Sequence, residues 1–381
     1  YFVPLSILLC LWIYERDDVL VPDKNFFKRK INYVALLFTF LIANNGIAYY
    51  PFFTCFIFMV TAVSKLVKTG KIKEGLRGVI ATVMVCFFVV LSILPGKIYT
   101  MTHGTNAAAI DRAGFEQAEL YGMKISQLFM PVNGHGIYDK YIDIYNENAF
   151  LVNENSTAYL GIIGMIGFII LMICLFTKKD SALNKRLGYL SELNITMVLM
   201  GTIGGIGAMF SFFISPMLRG YNRISIFIEY ACILAVALLA DKLVNVLKAR
   251  INNKKFVEAI EDELAPGSMI YQLPYHKYPE DGPVNDMADY HLYIGYLHSN
   301  TLKWSYGSIK GREEDEWNES VSEMKYEDMV SYLKEQGFAG IYVERRAYTE
   351  EELTELENTL EAITGSKPLE SNNNNLSFFK F

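Results

Sequence analysis

The chain has 381 residues, of which 52% are hydrophobic and 20% are charged, and its formal net charge is −6. In 253–381, 12 Lys and Arg residues stand against 25 Asp and Glu residues, a net of −13, which leaves +7 for 1–252. This separation of charge argues against nucleic acid as a partner. Apolar runs recur up to residue 252, and no later run is long enough to cross a bilayer. We therefore predict an α-helical transmembrane bundle at 1–252 and a small soluble α/β domain at 253–381.

Apolar runs in 1–252 have the length of membrane spans, because a helix needs about 20 apolar residues to cross a hydrocarbon core about 30 Å thick. The run 32–67 is too long for one span, and Asn44-Asn45-Gly46 and Pro51 interrupt it, which predicts two helices joined by a tight turn. About seven spans are expected when the other runs are added: 1–14, 78–94, 158–176, 193–214 and 224–239.

Lys and Arg residues are concentrated in every second connection between these runs. Short basic loops face the cytoplasm, so 44–50, 97–157 and 215–223 are predicted to face outward from a plasma or inner membrane. The residues that set this orientation are Arg16, Lys24, Lys28, Arg29, Lys30, Lys65, Lys68, Lys71, Lys73, Arg77, Lys178, Lys179, Lys185, Arg186, Lys242, Lys248, Arg250, Lys254 and Lys255.

The predicted outer loop 97–157 is too long for a simple connector and is expected to fold against the membrane surface. Arg112, Glu116 and Glu119 are spaced i, i+4, i+7, which places them on one helix face that would bind a sugar or a cation. The alternative is a solvated, salt-bridged face. Glu154 precedes a span, where a carboxylate is costly unless it is paired or used.

The outer connection 215–223 carries Arg219 and Arg223 on either side of Gly220, Tyr221 and Asn222. A guanidinium is a planar five-donor fork that suits a phosphate group. A lipid phosphate at the headgroup plane is therefore the predicted ligand. The alternative is ordinary interfacial anchoring by Arg and Tyr.

The C-terminal part alternates between short strands and helices. Strands are predicted at 268–273, 339–343 and 376–381, and helices at 326–336 and 349–363. Thr349 is the expected N-cap of the last helix, since a Glu follows three residues later. The segment 289–317 is rich in Tyr and Trp beside polar residues, a composition suited either to a saccharide or to an ordinary core.

No nucleotide-binding glycine loop, Walker motif or serine-hydrolase elbow occurs in the sequence. No metal-ligating residues are predicted, and the sequence leaves the cofactor open. Six segments instead resemble the C-terminal portion of large bacterial membrane proteins that look like GT-C-type polytopic glycosyltransferases. These segments are RAGFEQAELYGMKISQLFMPVNGH, NENSTAYLGIIGMIGF, LRGYNRISIFI, IYQLPYHKYPE, YLHSNTLKWSYGSIKGR and GFAGIYVERRAY.

The resemblance implies sugar transfer from a polyprenyl-phosphate donor to a saccharide acceptor in cell-envelope glycan synthesis. Its catalytic Asp or Glu would lie in a first outer loop, expected upstream of Tyr1. The positions to which the resemblance assigns binding roles are Arg112, Glu116, Glu119, Tyr121 and Lys124, then Arg219, Tyr221, Asn222 and Arg223, then Gln272, His298, Trp304 and Arg312. The alternative function is a non-catalytic lipid-linked-saccharide transporter or an envelope-assembly scaffold.

The two lines of reasoning differ on where the C-terminal domain lies. The basic residues after 224–239 place it in the cytoplasm. The resemblance places it outside, beyond one more span, and we expect the second arrangement.

Overall fold

The computed structural model describes residues 2–46, 48–104, 114–132, 134, 139–148 and 158–381. The chain divides into two compact units, Tyr1–Ala240 and Asp241–Phe381. Among the described residues the structure is mostly helical, with one small sheet near the C-terminus.

The first unit is built from helices. Its α-helices are α1 (Val3–Glu15), α2 (Lys30–Ala43), α3 (Tyr49–Thr69), α4 (Ile72–His103), α5 (Gln117–Leu120), α6 (Asp139–Asn148), α7 (Gly161–Cys174), α8 (Ala182–Gly201) and α9 (Ile206–Phe213), and α10 (Ser225–Glu263) continues into the second unit. Turns of 3-10 helix occupy Phe26–Lys28, Ile125–Leu128 and Tyr221–Ile224.

Three helices are long and apolar enough to cross a membrane: Tyr49–Thr69, Ile72–His103 and Tyr221–Glu263, the last combining a 3-10 turn with α10. Shorter apolar helices occur at Val3–Glu15, Lys30–Ala43 and Gly161–Cys174. The helix pair predicted within 32–67 is confirmed. Gly46, with φ of +78°, follows the end of α2, and Pro51 lies in the first turn of α3, where no backbone N–H is needed.

The run 193–214, predicted as one span, is not one helix. Helix α8 ends at Gly201 and α9 begins at Ile206. Thr202 is extended and Gly204 has a φ of +70°, a conformation that glycine adopts at little cost. The break exposes backbone groups that a continuous helix would satisfy, and a segment of the predicted outer loop bonds to them.

Two other boundaries differ from the sequence prediction. Helix α4 continues to His103, seven residues into the predicted loop 97–157, with Pro95 inside it. Helix α10 runs without interruption from 225 through the predicted domain boundary at 252, and the division between the two units falls within it.

The second unit contains the predicted α/β fold. After α10 its elements are β1 (Met269–Leu273), α11 (Tyr293–His298), β2 (Lys303–Trp304), α12 (Glu313–Ser322), α13 (Tyr326–Glu335), β3 (Phe338–Glu344), a 3-10 turn at Arg345–Ala347, α14 (Glu350–Thr364), β4 (Leu369–Glu370) and β5 (Leu376–Lys380). The predicted strands and helices are confirmed to within two residues. Thr349 caps α14 in a capping box with Glu352.

The sheet has the order β2-β1-β3-β5-β4. Strand β1 is parallel to β2 and β3, and β5 is antiparallel to β3 and β4. Side chains alternate between its faces: Tyr271, Ile341 and Phe379 pack with α13 and α14, while Ile270 and Tyr342 pack with the end of α10. Both faces of this mixed sheet are therefore covered.

Candidate functional site

The break between α8 and α9 receives the backbone of Met123. The Met123 N–H donates to the Gly201 carbonyl at 2.8 Å, and the Ile203 N–H donates to the Met123 carbonyl at 3.1 Å. Irregular backbone at membrane depth is tolerated where protein satisfies it. These bonds attach the predicted outer loop to the broken helix, so they position the residues just before Met123.

Glu119 and Tyr121 extend this attachment. The Glu119 carboxylate accepts a hydrogen bond from the Gly204 N–H at 2.9 Å. The Tyr121 carbonyl accepts one from the Asn222 N–H at 3.3 Å. The loop that carries Arg219 and Arg223 is thus bonded, through Tyr121, to a segment that is itself bonded to the helix break.

Arg219 and Arg223 are each held over a tyrosine ring. The Arg219 guanidinium lies 4.7 Å from the ring centroid of Tyr121, and its Nη1 donates to the Gln117 side chain at 2.9 Å. The Arg223 guanidinium lies 4.2 Å from the ring centroid of Tyr49, at the start of α3. Stacking covers one face of each guanidinium and leaves its edge, where the N–H donors are, available.

The loop is electropositive. In the part of the chain that the structure describes, no carboxylate lies within 4 Å of the Arg219 or Arg223 guanidinium, in contrast with Arg16, Arg29, Arg77 and Arg186, which all have one. Arg223 is exposed and Arg219 is partly buried. Two cations without a neutralising carboxylate among the described residues form a candidate site for an anion.

Tyr221 was predicted to contact the phosphate, and the structure places its side chain in the core. Its side chain is only 2% exposed, it packs edge-on against Phe52, and its hydroxyl has no hydrogen-bond partner among the described residues. Gly207 lies so close that a Cβ there would be 2.6 Å from the Tyr221 ring. Tyr221 therefore supports the loop from the core, while Asn222 stays partly exposed beside the arginines.

The other predicted outer-loop residues do not form one helix face. Gly114 has a φ of +138°, outside the helical region, and α5 begins only at Gln117, so no continuous helix joins position 112 to 119. Glu116 is exposed before α5, and the Lys124 ammonium lies 5.7 Å from the Tyr145 ring centroid. Arg112 and Glu154 lie outside the described residues.

Sequence reasoning missed two residues at this site and a third on α10. Tyr49 and Gln117 hold the two guanidiniums through contacts far apart in sequence, which no local pattern reveals. Glu229 had a visible signal, since it is a lone carboxylate in an apolar run. It is partly buried on α10 near Gly164, and no described cation lies within 4 Å of it. If α10 crosses a membrane, a carboxylate at this position would be costly and would suggest a functional role.

Among the four predicted saccharide residues of the second unit, Gln272 is held by hydrogen bonds inside the domain. Gln272 is 3% exposed, and its side-chain amide donates to the Leu292 carbonyl at 2.6 Å and accepts from the Tyr306 N–H at 3.0 Å. Both ends of the amide are therefore already used inside the domain.

Trp304 packs edge-on against the buried Tyr342, with ring centroids 5.5 Å apart, which favours a core role. Arg312 is exposed at the N-cap of α12. His298 ends α11, where burial lowers the pKa of its imidazole and the positive charges of Arg250 and Lys254 lower it further.

Comparison of the chain with protein-family models, curated proteins and solved structures gives no match. The interpretation of the site consequently depends on its own geometry. That geometry is a loop at the start of a membrane-length helix, with two tyrosine-stacked guanidiniums that have no described carboxylate within 4 Å.

Proposed function

We propose that this chain is a multi-pass membrane protein in which the loop 219–223 binds the phosphate of a lipid-linked sugar, and that it acts as a GT-C-like glycosyltransferase in cell-envelope glycan synthesis. The observation that carries the proposal is a pair of tyrosine-stacked guanidiniums in one five-residue loop, neither of which has a carboxylate within 4 Å among the residues that the structure describes. Their position at the start of an apolar helix of membrane length favours a lipid phosphate over a soluble one.

In sugar transfer, the two guanidiniums would stabilise the negative charge that develops on the leaving phosphate. When a sugar leaves a polyprenyl phosphate, the phosphate oxygen that held it gains negative charge. Donors fixed in advance near that oxygen stabilise the transition state, because they need no reorganisation during the reaction. Stacking on Tyr121 and Tyr49 supplies that fixation for Arg219 and Arg223. The saccharide acceptor would approach from the outer side of the same loop.

The double substitution Arg219→Ala with Arg223→Ala tests the phosphate site. Hydrogen bonds to charged groups contribute about 1.5–3 kcal/mol each, so affinity for a polyprenyl phosphate in nanodiscs should fall at least about 100-fold. The matched control is Arg16→Ala, an arginine already paired with Asp18, which should bind like the unmodified protein. Unchanged affinity in the double variant would remove the site.

Sugar transfer needs a separate measurement. Release of polyprenyl phosphate from a polyprenyl-phosphate sugar should depend on the full-length protein and should be lost in the double variant. Tight binding of the phosphate with no sugar transfer under any condition would retain the binding site but contradict the transferase assignment, and would favour the transporter or scaffold function.

A further inference from the structure

A second candidate lipid site lies on the first unit, away from the loop 219–223 that carries Arg219 and Arg223 (the arginine loop). A groove of about 540 Å³ is formed by one stripe of α3 together with α8. The α3 residues recur at helical spacing, with Phe56, Val60, Val63 and Val67 lining the groove and Lys68 ending it. From 56 to 68 the groove is about 18 Å long, slightly more than half of a hydrocarbon core about 30 Å thick.

The end of the groove at Lys68 is charged. Glu192 on α8 accepts hydrogen bonds from the Lys68 ammonium at 2.6 Å, from the Lys179 ammonium at 2.6 Å and from the Ser64 hydroxyl at 2.9 Å. Lys68 also donates to the Tyr14 hydroxyl at 2.9 Å. The side chains of Lys68 and Lys179 remain about one third exposed, so they can contact a further anion.

Cations outnumber carboxylates in this region. Lys68 and Lys179 share Glu192, and next to them Lys65 and Arg77 share Glu74, at 3.4 and 2.8 Å. Four cations against two carboxylates leave an excess of two positive charges. This end of α3 also belongs to the basic set of connections that the charge bias places at the cytoplasmic surface.

We infer that this groove binds one anionic phospholipid of the cytoplasmic leaflet, with an acyl chain along α3 and the phosphate between Lys68 and Lys179. The length matches one leaflet, and the charge matches an anionic headgroup. A zwitterionic headgroup would bring its own ammonium toward the lysines. The inference depends on the membrane placement within the proposed function and is independent of sugar transfer.

The test is native mass spectrometry of the detergent-purified full-length chain, titrated with phosphatidylglycerol or phosphatidylcholine. One retained phosphatidylglycerol per chain is expected, and substantially less phosphatidylcholine. Lys68→Gln with Lys179→Gln should weaken retention of phosphatidylglycerol roughly 30-fold. The matched control, Lys71→Gln with Lys178→Gln, removes two exposed lysines that do not line the groove and should leave retention unchanged.

Two further variants separate binding from a loss of structure. Glu192→Gln removes the competing carboxylate and should tighten retention, whereas damage to the fold would weaken it. Val63→Trp fills the groove and should weaken retention with both lysines intact. Equal retention of the two lipids, or unchanged retention in both the lysine double variant and Val63→Trp, would overturn the inference.

Two controls identify the ligand and the site. Inorganic phosphate that competes with phosphatidylglycerol at equal concentration would show a free-anion site and overturn the lipid assignment. Arg219→Ala with Arg223→Ala should retain phosphatidylglycerol normally, so a failure of the phosphate loop and a failure of this groove give different results.

Discussion

Replacing Gly207 by alanine tests whether the break between α8 and α9 supports the arginine loop, residues 219–223. Gly207 lies in the first turn of α9, against the Tyr221 ring that underlies the arginine loop. An added Cβ would lie 2.6 Å from two carbons of that ring and 2.5 Å from the Met200 carbonyl oxygen. These distances are about 1 Å shorter than ordinary van der Waals contacts, and the carbonyl belongs to backbone, which moves with difficulty.

The expected cost follows from two opposing effects. Overpacking a well-packed site costs about 1–3 kcal/mol, whereas exchanging glycine for alanine in a helix returns up to about 1 kcal/mol. The net destabilisation should be about 1–2 kcal/mol, or a Tm lower by roughly 3–6 °C for a unit of this size. Because relief requires Tyr221 to move, polyprenyl-phosphate affinity should also decrease.

Gly96→Ala is the matched control. Gly96 lies within α4 with no atom within 4 Å of an added Cβ, so alanine there should be neutral or slightly stabilising. Both variants are compared by thermal melting in detergent and by polyprenyl-phosphate binding. A Gly207→Ala protein that melts and binds like Gly96→Ala would refute the proposed support of the loop by Tyr221.

Two predictions concern the second unit. Thr349→Ala removes the N-cap of α14, whose hydroxyl accepts a hydrogen bond from the Glu352 N–H, and should lower the free energy of unfolding in urea by about 1 kcal/mol. The control, Thr354→Ala inside the same helix, should not destabilise the domain. Equal losses of unfolding free energy in the two variants would contradict the capping role. Burial raises the pKa of Glu261, but hydrogen bonds from the Thr301 and Asn300 N–H groups and the Ser299 hydroxyl outweigh it, so the pKa is lowered. Its stabilisation is therefore present above the unfolded pKa near 4.5 and is lost as pH falls through the lower folded value. Glu261→Gln should reduce stability at neutral pH and reduce its acid dependence in pH-dependent melting, and an unchanged acid limb would contradict this assignment.

The second unit was predictable because its signals are local. Met269–Leu273 and Phe338–Glu344 are short apolar runs bounded by turn residues, and α14 carries its start signal in Thr349 and Glu352. Each of these patterns is stabilised by neighbours within a few residues or by alternation along one strand.

The break between α8 and α9 and the residues that hold Arg219 and Arg223 were not predictable, because the contacts that form them join residues far apart in sequence. Hydropathy treats 193–214 as one apolar run, since the glycines in it are compatible with a span. The break is stabilised by Met123 and Glu119, about 80 residues away in sequence. Likewise, the burial of Tyr221 against Gly207 and Phe52 is a tertiary feature that no local sequence pattern reveals.

Helix α3 joins the two cationic sites. Its first residue, Tyr49, lies under the Arg223 guanidinium, and Lys68, one residue before its end, closes the lipid groove. Nineteen residues of helix separate them by about 28 Å, nearly the thickness of the hydrocarbon core. In the proposed membrane placement, this helix alone would therefore fix the distance between the two proposed headgroup sites. In a thinner bilayer the helix must tilt before both sites reach a headgroup plane, so membrane thickness itself would set how well the two sites are occupied together.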